Sequence, residues 1–428
     1  MKKILIDTSL FKQNRERLLS KMKPYSVAVI NANLTYPTNA DGTYPYKPNS
    51  DLFYLTGIEQ EETTLLLVRE SETASKTILF IKPFDPLYEK WMGRLLTVED
   101  AQRIADIDTV LLTTEFETTL HTHALQQQTI YLNANEHLRA VLEVQDKDAQ
   151  FAQWCRQKYP THTYKRLAPI ISSLRLIKSA VEADLLQQAA DVTTQGFLRL
   201  LQIVKPGVWE YEIEAELLHQ YYKHGTATAD YHPIIASGAD SCILHYNANS
   251  KQCQAGDVLL VDAAARWANY NADLTRVIPV SGQFTQRQKQ VYNAVLRVNK
   301  AMQTLMVAGA LLADLQQHCF DLLLKELVDL GLASKEAIHN PSLRKEALQT
   351  YCYHNFSHLL GLSVHDVGDM KQPLQAGVVL TNEPGIYIAT ENIGIRIENN
   401  ILITENGNKN LMENTPIEAE HIETLMNA

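Results

Sequence analysis

The sequence predicts an α+β protein in two parts: a smaller N-terminal α/β domain over residues 1–171 and a larger α+β domain over 172–428. Three observations predict it. The chain has 428 residues, 45% of them hydrophobic, which is more than one core ordinarily holds. Over the first 170 residues, short strands rich in branched side chains alternate with helical pieces. Near residue 172 the pattern changes to long amphipathic helices followed by strands, the order of an α+β domain.

The elements follow in chain order. Phe11, Arg15 and Leu18 share a helical period, so 11–22 reads as an amphipathic helix. SVAVINA (26–32), TTLLLV (63–68), TILFI (77–81), DTVLLT (108–113) and TIYLNA (129–134) read as strands. The segment 35–51 is rich in Pro, Gly, Asn and Tyr and reads as a loop. A long helix is expected from Lys178 to the turn Lys205-Pro206-Gly207. A second covers EYEIEAELLHQYYKHG, capped by Gly225. Strands are then expected in HPIIASG, CILHYN, DVLLVDAAARWA and NADLTRVIPV. Helices return over 284–306 and 308–331, and strands in VVLTNEPGIYIA and GIRIENNILITENG.

Global composition excludes several classes of function. A formal net charge of -10 gives no general attraction for phosphate backbones or anionic lipid, so neither nucleic acid nor a membrane is an expected partner. The opening MKKILID has an apolar stretch too short for a secretory signal, and no run is long enough to span a bilayer. The expected location is the cytoplasm. Five cysteines (155, 242, 253, 319 and 352) form no zinc-knuckle spacing and read as buried thiols.

Chemistry-bearing residues concentrate in four segments of the second domain. In DVLLVDAAARWANYNADLTRV, Asp262 ends an apolar run, where a carboxylate is costly unless paired or bound to a cation. Asp273 lies eleven residues on; in a hairpin that odd separation allows the two to oppose one another on one face. YCYHNFSHLLGLSVHDVG holds His354, His358 and His365; the first two, four apart, share a side in either a helix or a strand. Glu383 precedes a Pro384-Gly385 turn. In GIRIENN, Arg396 and Glu398 share one strand face and Ile395 and Ile397 the other. Each segment alone admits a bland reading, such as a solvated hairpin, an acid at a turn or a water-facing charged pair. Together, Asp262, Asp273, His358, Glu383 and Glu398 form a hard, oxygen-rich donor set suited to Mn²⁺ or Mg²⁺, with one imidazole also admitting Co²⁺, Zn²⁺ or Fe²⁺. Four potentially bridging carboxylates suggest a two-metal hydrolase. No HExxH, GxSxG or P-loop pattern competes.

These five residues, in this order and in the contexts SGADSCILHY, DLTR, HxxxHxxG with VHDVG, NEPG and GIRIEN, resemble the methionine aminopeptidase/prolidase superfamily with the pita-bread fold. The likeness is greatest to its proline-specific aminopeptidase P branch and runs from near Phe11 to about Asn406; PNSDLFYLTG resembles that branch's noncatalytic domain. The resemblance implies hydrolysis of the bond between an N-terminal residue and a following proline, with two divalent ions, Mn²⁺ foremost. It implies that Asp262 binds one ion, that Asp273 and Glu398 bridge both, and that His358 and Glu383 complete the ligand set of the second ion. It places His245, His354 and His365 around the scissile bond and makes Arg396 a brace for Glu398. It also implies that Glu383 doubles as proton carrier to the leaving nitrogen. Two positions depart from the branch: Ala264, where a glycine is usual, and Arg266, where an acid is usual. The alternatives are a prolidase limited to Xaa-Pro dipeptides, with the same ligands, and a noncatalytic binding protein, which retention of all five ligands argues against. In relatives a tryptophan like that of the segment PLYEKWMGR enters a neighbouring subunit's cleft; Trp91 is thus expected at the proline pocket in trans, in a homodimer or homotetramer.

Overall fold

The computed structural model describes residues 6–141 and 143–428; the opening residues read above for a signal segment lie partly outside them. The chain divides into two compact units between Arg175 and Leu176. The sequence boundary at 171/172 falls inside the helix that crosses this point.

The N-terminal unit is built on a six-stranded sheet. Its strands are β1 (Ser26–Asn31), β2 (Thr64–Arg69), β3 (Ser75–Ile81), β4 (Thr109–Leu112), β5 (Thr129–Leu132) and β6 (Thr163–Arg166), in the order β4-β3-β2-β1-β5-β6. β1 runs antiparallel to β2 and parallel to β5. Every residue of β1 is buried, which is why the central strands read as continuous apolar runs without alternation. Val27, Val29, Leu66, Val68, Phe80 and Ile130 form one core with Leu120, Phe151 and Cys155. The helices are α1 (Ser9–Lys21), α2 (Ser50–Thr56), α3 (Pro86–Met92), α4 (Val98–Ala105), α5 (Phe116–Ala124), α6 (Lys147–Lys158) and α7 (Ala168–Leu176). Arg15, on the buried face of α1, donates to Leu55 O and Asp106 O at 2.7 Å each.

In the C-terminal unit, α8 (Ala180–Ile203) starts at a Ser179/Glu182 capping box. α9 (Glu210–Lys223) follows, with Gly225 one residue beyond its cap at φ +81°. β7 (Ile234–Ser237), β8 (Val258–Asp262) and β11 (Thr275–Pro279) make an antiparallel sheet in the order β11-β8-β7. Between β8 and β11 the hairpin narrows to β9 (Arg266–Trp267) and β10 (Tyr270–Asn271), turning at Ala268 and Asn269, both at positive φ. The sequence of two helices and a three-stranded antiparallel sheet then recurs. α10 (Gln286–Leu305) and α11 (Leu312–Asp329) lead, after α12 (Pro341–Tyr351), to β12 (Val379–Asn382), β15 (Asn399–Thr404) and β16 (Gly407–Asn410) in the order β12-β15-β16. β13 (Gly385–Ile388) and β14 (Ile393–Arg396) form a two-stranded ladder beside them, and α13 (Ala419–Met426) ends the unit.

Four local expectations are corrected. CILHYN is a 3₁₀ turn ending at Cys242 and then loop, because Ser241, Tyr246 and the neighbouring polar groups bond to side chains and turns instead of a ladder. α12 and α13 went unread, since each is short and only half-buried. The segment holding His354 and His358 is neither helix nor strand; it stays irregular as far as Leu359, which bridges to Leu380. Asp262 opposes Thr275, not Asp273.

Candidate active site

The hairpin register explains how two acids come together without facing each other directly. Asp262 pairs with Thr275, and Asp273 lies two residues before β11, where the bonds from Ala263 N–H to Leu274 O and from Ala272 N–H to Ala265 O continue the hairpin register and keep it on the same face. Glu383 leaves β12 at the Pro384-Gly385 turn, and Glu398 sits between β14 and β15. Glu398 N–H donates to the O of Thr275, the first residue of β11, at 3.1 Å, and Glu383 N–H donates to Phe356 O at 2.8 Å. The water-facing reading of GIRIEN therefore fails, for Arg396 and Glu398 are both buried.

Asp273, His358 and Glu398 each present a ligand atom, and these atoms lie within 4.8 Å of one another. His358 Nε2 stands 3.4 Å from Asp273 Oδ2 and 3.4 Å from Glu383 Oε1. Its Nδ1 lies 3.1 Å from Leu359 O, an acceptor only, so Nδ1 carries a proton and Nε2 is the ring atom that faces the acids. The Thr381 hydroxyl donates to Glu383 Oε1 at 3.0 Å and accepts the His358 N–H at 3.0 Å. Asp273, His358, Glu383 and Glu398 thus meet in one cluster, and Asp262 is tied to it through Arg396.

The electrostatics are those of a cation site. Burial, then repulsion from Asp273, Glu383 and Asp262, holds the Glu398 carboxyl well above the usual range. Burial also raises Asp262, and lifts Glu383 to about 7. Burial alone would depress His358, but its bond to Asp273 and the Glu383 charge raise it to about 9. Buried Asp262 Oδ1 and Glu398 Oε1 have no hydrogen-bond partner among the described residues. An anionic oxygen left this way is costly, and a divalent cation satisfies both the charge and the empty lone pairs. The residues present fit such an ion.

A directional chain lies behind the acids. Arg396 binds Asp262 Oδ2 at 2.6 Å and the Thr275 hydroxyl at 2.9 Å, and that hydroxyl donates to Glu398 Oε2 at 2.7 Å. Arg396 Nη1 also donates to the Tyr387 hydroxyl at 3.0 Å, and Tyr387 donates onward to His354 Nε2 at 2.8 Å. His354 Nδ1 completes the chain 2.8 Å from Asn355 O. Burial first, then Arg396 and, more weakly, His245 and His358, push His354 down to about 4, so the ring is neutral. His365 packs its ring edge-to-face on His358, 4.4 Å between centroids. His245 is exposed on the loop after Cys242.

Tyr231, Thr275, Thr381 and Tyr387 were not picked from the sequence. Tyr231 donates to Asp273 Oδ1 at 2.9 Å. Thr275 lies inside the DLTR motif, and Tyr387 alternates with Ile386 and Ile388 as Arg396 does with its isoleucines, so alternation was the available signal. Of the two departures, Ala264 is fully buried in the hairpin and Arg266 pairs with Asp230 at 3.1 Å. Cys352 is buried, and its thiol is pushed up by burial, which suits packing and not nucleophilic attack. All five cysteines are free. A groove of about 710 Å³ opens beside His354 and Tyr353, walled by Phe320 and by Arg344 and Leu348 of α12. In the N-terminal unit, Trp91 is 81% exposed at the end of α3, a helix with no buried residue. No helix among the described residues is long and apolar enough to cross a membrane.

Comparison with known proteins agrees with this geometry. Residues 184–405 match metallopeptidase family M24, and residues 11–131 match the aminopeptidase P N-terminal domain. A Haemophilus influenzae protein named Xaa-Pro aminopeptidase is 34% identical, with 97% of each chain covered. A solved structure described as a putative aminopeptidase P from Bacillus anthracis superposes with a TM-score of 0.93 at 34% identity, covering 99% of both chains. Aminopeptidase P from E. coli, solved with the inhibitor Pro-Leu, gives 0.89 at 32% identity and the same coverage. With its acid-and-histidine cluster, the chain belongs to metallopeptidase family M24, in the pita-bread superfamily and alongside the Xaa-Pro aminopeptidases.

Proposed function

We propose that this protein is a dinuclear metallo-aminopeptidase that hydrolyses the bond between an N-terminal residue and a following proline. The observation that carries the reading is the convergence of Asp273, His358 and Glu398 ligand atoms within 4.8 Å. Asp262, Asp273, His358, Glu383 and Glu398 hold two divalent ions, Mn²⁺ by the hardness of four carboxylates. Such ions supply Lewis-acid polarisation of the scissile carbonyl and lower the pKa of the attacking water. The chain's own groups do the rest. Arg396 fixes Asp262 and, through Thr275, orients Glu398. Neutral His354, pinned by Tyr387 and Asn355, lines the pocket with His245 and His365, and one of these histidines stabilises the developing oxyanion. Glu383 passes a proton to the departing proline nitrogen, which turns basic as amide conjugation is lost.

The groove beside His354 supports substrates that continue beyond proline, favouring an aminopeptidase over a dipeptide-only prolidase. Five free cysteines support a reducing, cytoplasmic setting. An exposed Trp91 on a helix with no buried residue supports a homo-oligomer, dimer or tetramer, in which Trp91 packs on the proline ring in a neighbour's cleft. One peptide series tests these readings. The Mn²⁺-loaded enzyme is expected to cleave Xaa-Pro-Xaa and longer peptides at least as fast as Xaa-Pro. Cleavage of the dipeptide alone would make it a prolidase, and neither cleavage nor metal uptake would make it a binding protein. On the same peptides Trp91→Ala is expected to raise KM about tenfold with metal content unchanged. A fully active monomer in sedimentation would remove Trp91 from the site.

A further inference from the structure

Three segments of the catalytic unit meet at the start of α8. The side chains of Lys178 and Asp366 are each 1% exposed, with Nζ 3.1 Å from Oδ2. The Lys178 backbone N–H donates to Gly377 O at 2.8 Å, just ahead of β12, the strand that runs to Glu383. One turn on, Glu182 closes the Ser179 capping box with Oε2 and accepts the Tyr270 hydroxyl on Oε1 at 3.0 Å. Residues 178–182 therefore hold the histidine loop through Asp366, the aspartate hairpin through Tyr270, and the approach to Glu383 through Gly377.

Each hold lies close to the donor cluster. Tyr270 precedes Asp273 by three residues. The Asp366 N–H donates to Leu359 O at 2.9 Å, closing the loop on the residue next to His358. Inside that loop, Gly361 O accepts both the Asn271 N–H at 2.8 Å and its side-chain amide at 3.3 Å, so loop and hairpin also grip each other. The fit leaves no slack: a Cβ on Gly361 would collide with Asp366 Oδ2 and stand 3.0 Å from Lys178 Cε. A buried ion pair gains little net stability, because desolvation offsets the attraction. What it does impose is position, since neither charge can move without stranding the other.

We propose that the Lys178–Asp366 pair and the Glu182–Tyr270 bond are positioning elements that set the spacing between His358 and Asp273, and through it metal affinity and turnover. The proposal rests on the metallopeptidase reading above. It is tested with Lys178→Met, Asp366→Asn, the apolar double variant Lys178→Met/Asp366→Leu, and Tyr270→Phe. Three quantities are read: thermal unfolding, Mn²⁺ affinity and stoichiometry by calorimetry on the metal-stripped chain, and kcat and KM on an Xaa-Pro-Xaa peptide. The single ion-pair variants lose thermal stability, and the double variant regains it because no charge is stranded. Even so, the double variant binds Mn²⁺ about tenfold more weakly and loses about tenfold in kcat, with KM nearly unchanged. Tyr270→Phe shifts affinity and kcat in the same direction by about threefold. Recovery of metal affinity and kcat together with thermal stability in the double variant would reduce the pair to a structural role and overturn the proposal. The calorimetric arm needs no peptide. A wild type that cleaves no Xaa-Pro bond would thus defeat the functional reading while leaving the positioning test decisive.

Discussion

Asp148 in the N-terminal unit and Glu398 in the catalytic unit are both almost fully buried carboxyls, and both are pushed above the ordinary carboxylate range, first of all by burial. Their surroundings are opposite. Asp148 Oδ1 accepts the Asn31 backbone N–H at 3.0 Å and its side-chain amide at 2.7 Å, while Oδ2 accepts from Asn133 at 3.0 Å. Asn133 reaches on to Asp51, which Arg175 binds at 2.7 Å. Among the described residues Glu398 has one donor, Thr275, on Oε2, none on Oε1, and three acids for neighbours. A carboxylate that holds a fold together is saturated with donors. A carboxylate kept for a cation is left short of them, and the difference is visible before any ion is considered.

The sharpest way to break this comparison is to remove charge from the unsatisfied cluster. Asp273→Asn is expected to lower turnover on the order of a thousandfold or more and to drop bound Mn²⁺ below two equivalents. Near-wild-type turnover with two ions bound would end the ligand assignment.

A smaller effect separates ligands from the groups behind them. His354→Ala and His365→Ala are each expected to keep metal content near that of the wild type while kcat falls about a hundredfold. Loss of a whole metal equivalent in either variant would place that histidine among the ligands.

The smallest effect on turnover, and the one that sharpens the other side, concerns Asp148. Its folded pKa of about 7 lies above the ordinary carboxylate value of 3.8, so the folded state binds the extra proton between them. Its favourable contribution is complete below the lower value and is lost as pH rises through the upper one. Denaturant unfolding at about pH 5 and about pH 8 should show the wild type losing roughly 2 kcal/mol more than Asp148→Asn, with kcat of the two indistinguishable. Parallel pH dependences would show that the three amide donors hold Asp148 ionised throughout.

Elements with a strong local signal were legible in the sequence. Five of the six strands of the N-terminal sheet were found within a residue or two, as runs of branched apolar residues, whereas β6 went unread because it is polar and none of its residues is buried. The start of α8 was legible near Lys178, and the structure sets it at a Ser179/Glu182 capping box. The same local reasoning failed for CILHYN, whose apolar residues suggested a strand. Ile243 is exposed and Tyr246 bonds to Glu210, partners that local sequence does not announce.

By itself the sequence supplied a candidate donor set, four carboxylates and one imidazole in order along the chain, in contexts specific enough to carry a family resemblance. Parity also determined that Asp262 and Asp273 share a face, since side chains alternate along a strand whatever the partner. Only the tertiary structure decided the register that sets Asp262 against Thr275, the burial of Arg396 and Glu398, and the chain from Arg396 through Tyr387 to His354. It also decided that Lys178 reaches Asp366 across 188 residues. These depend on which oxygens are left unpaired once separate strands have packed, and pairing across such distances is a property of the folded chain and not of any segment in it.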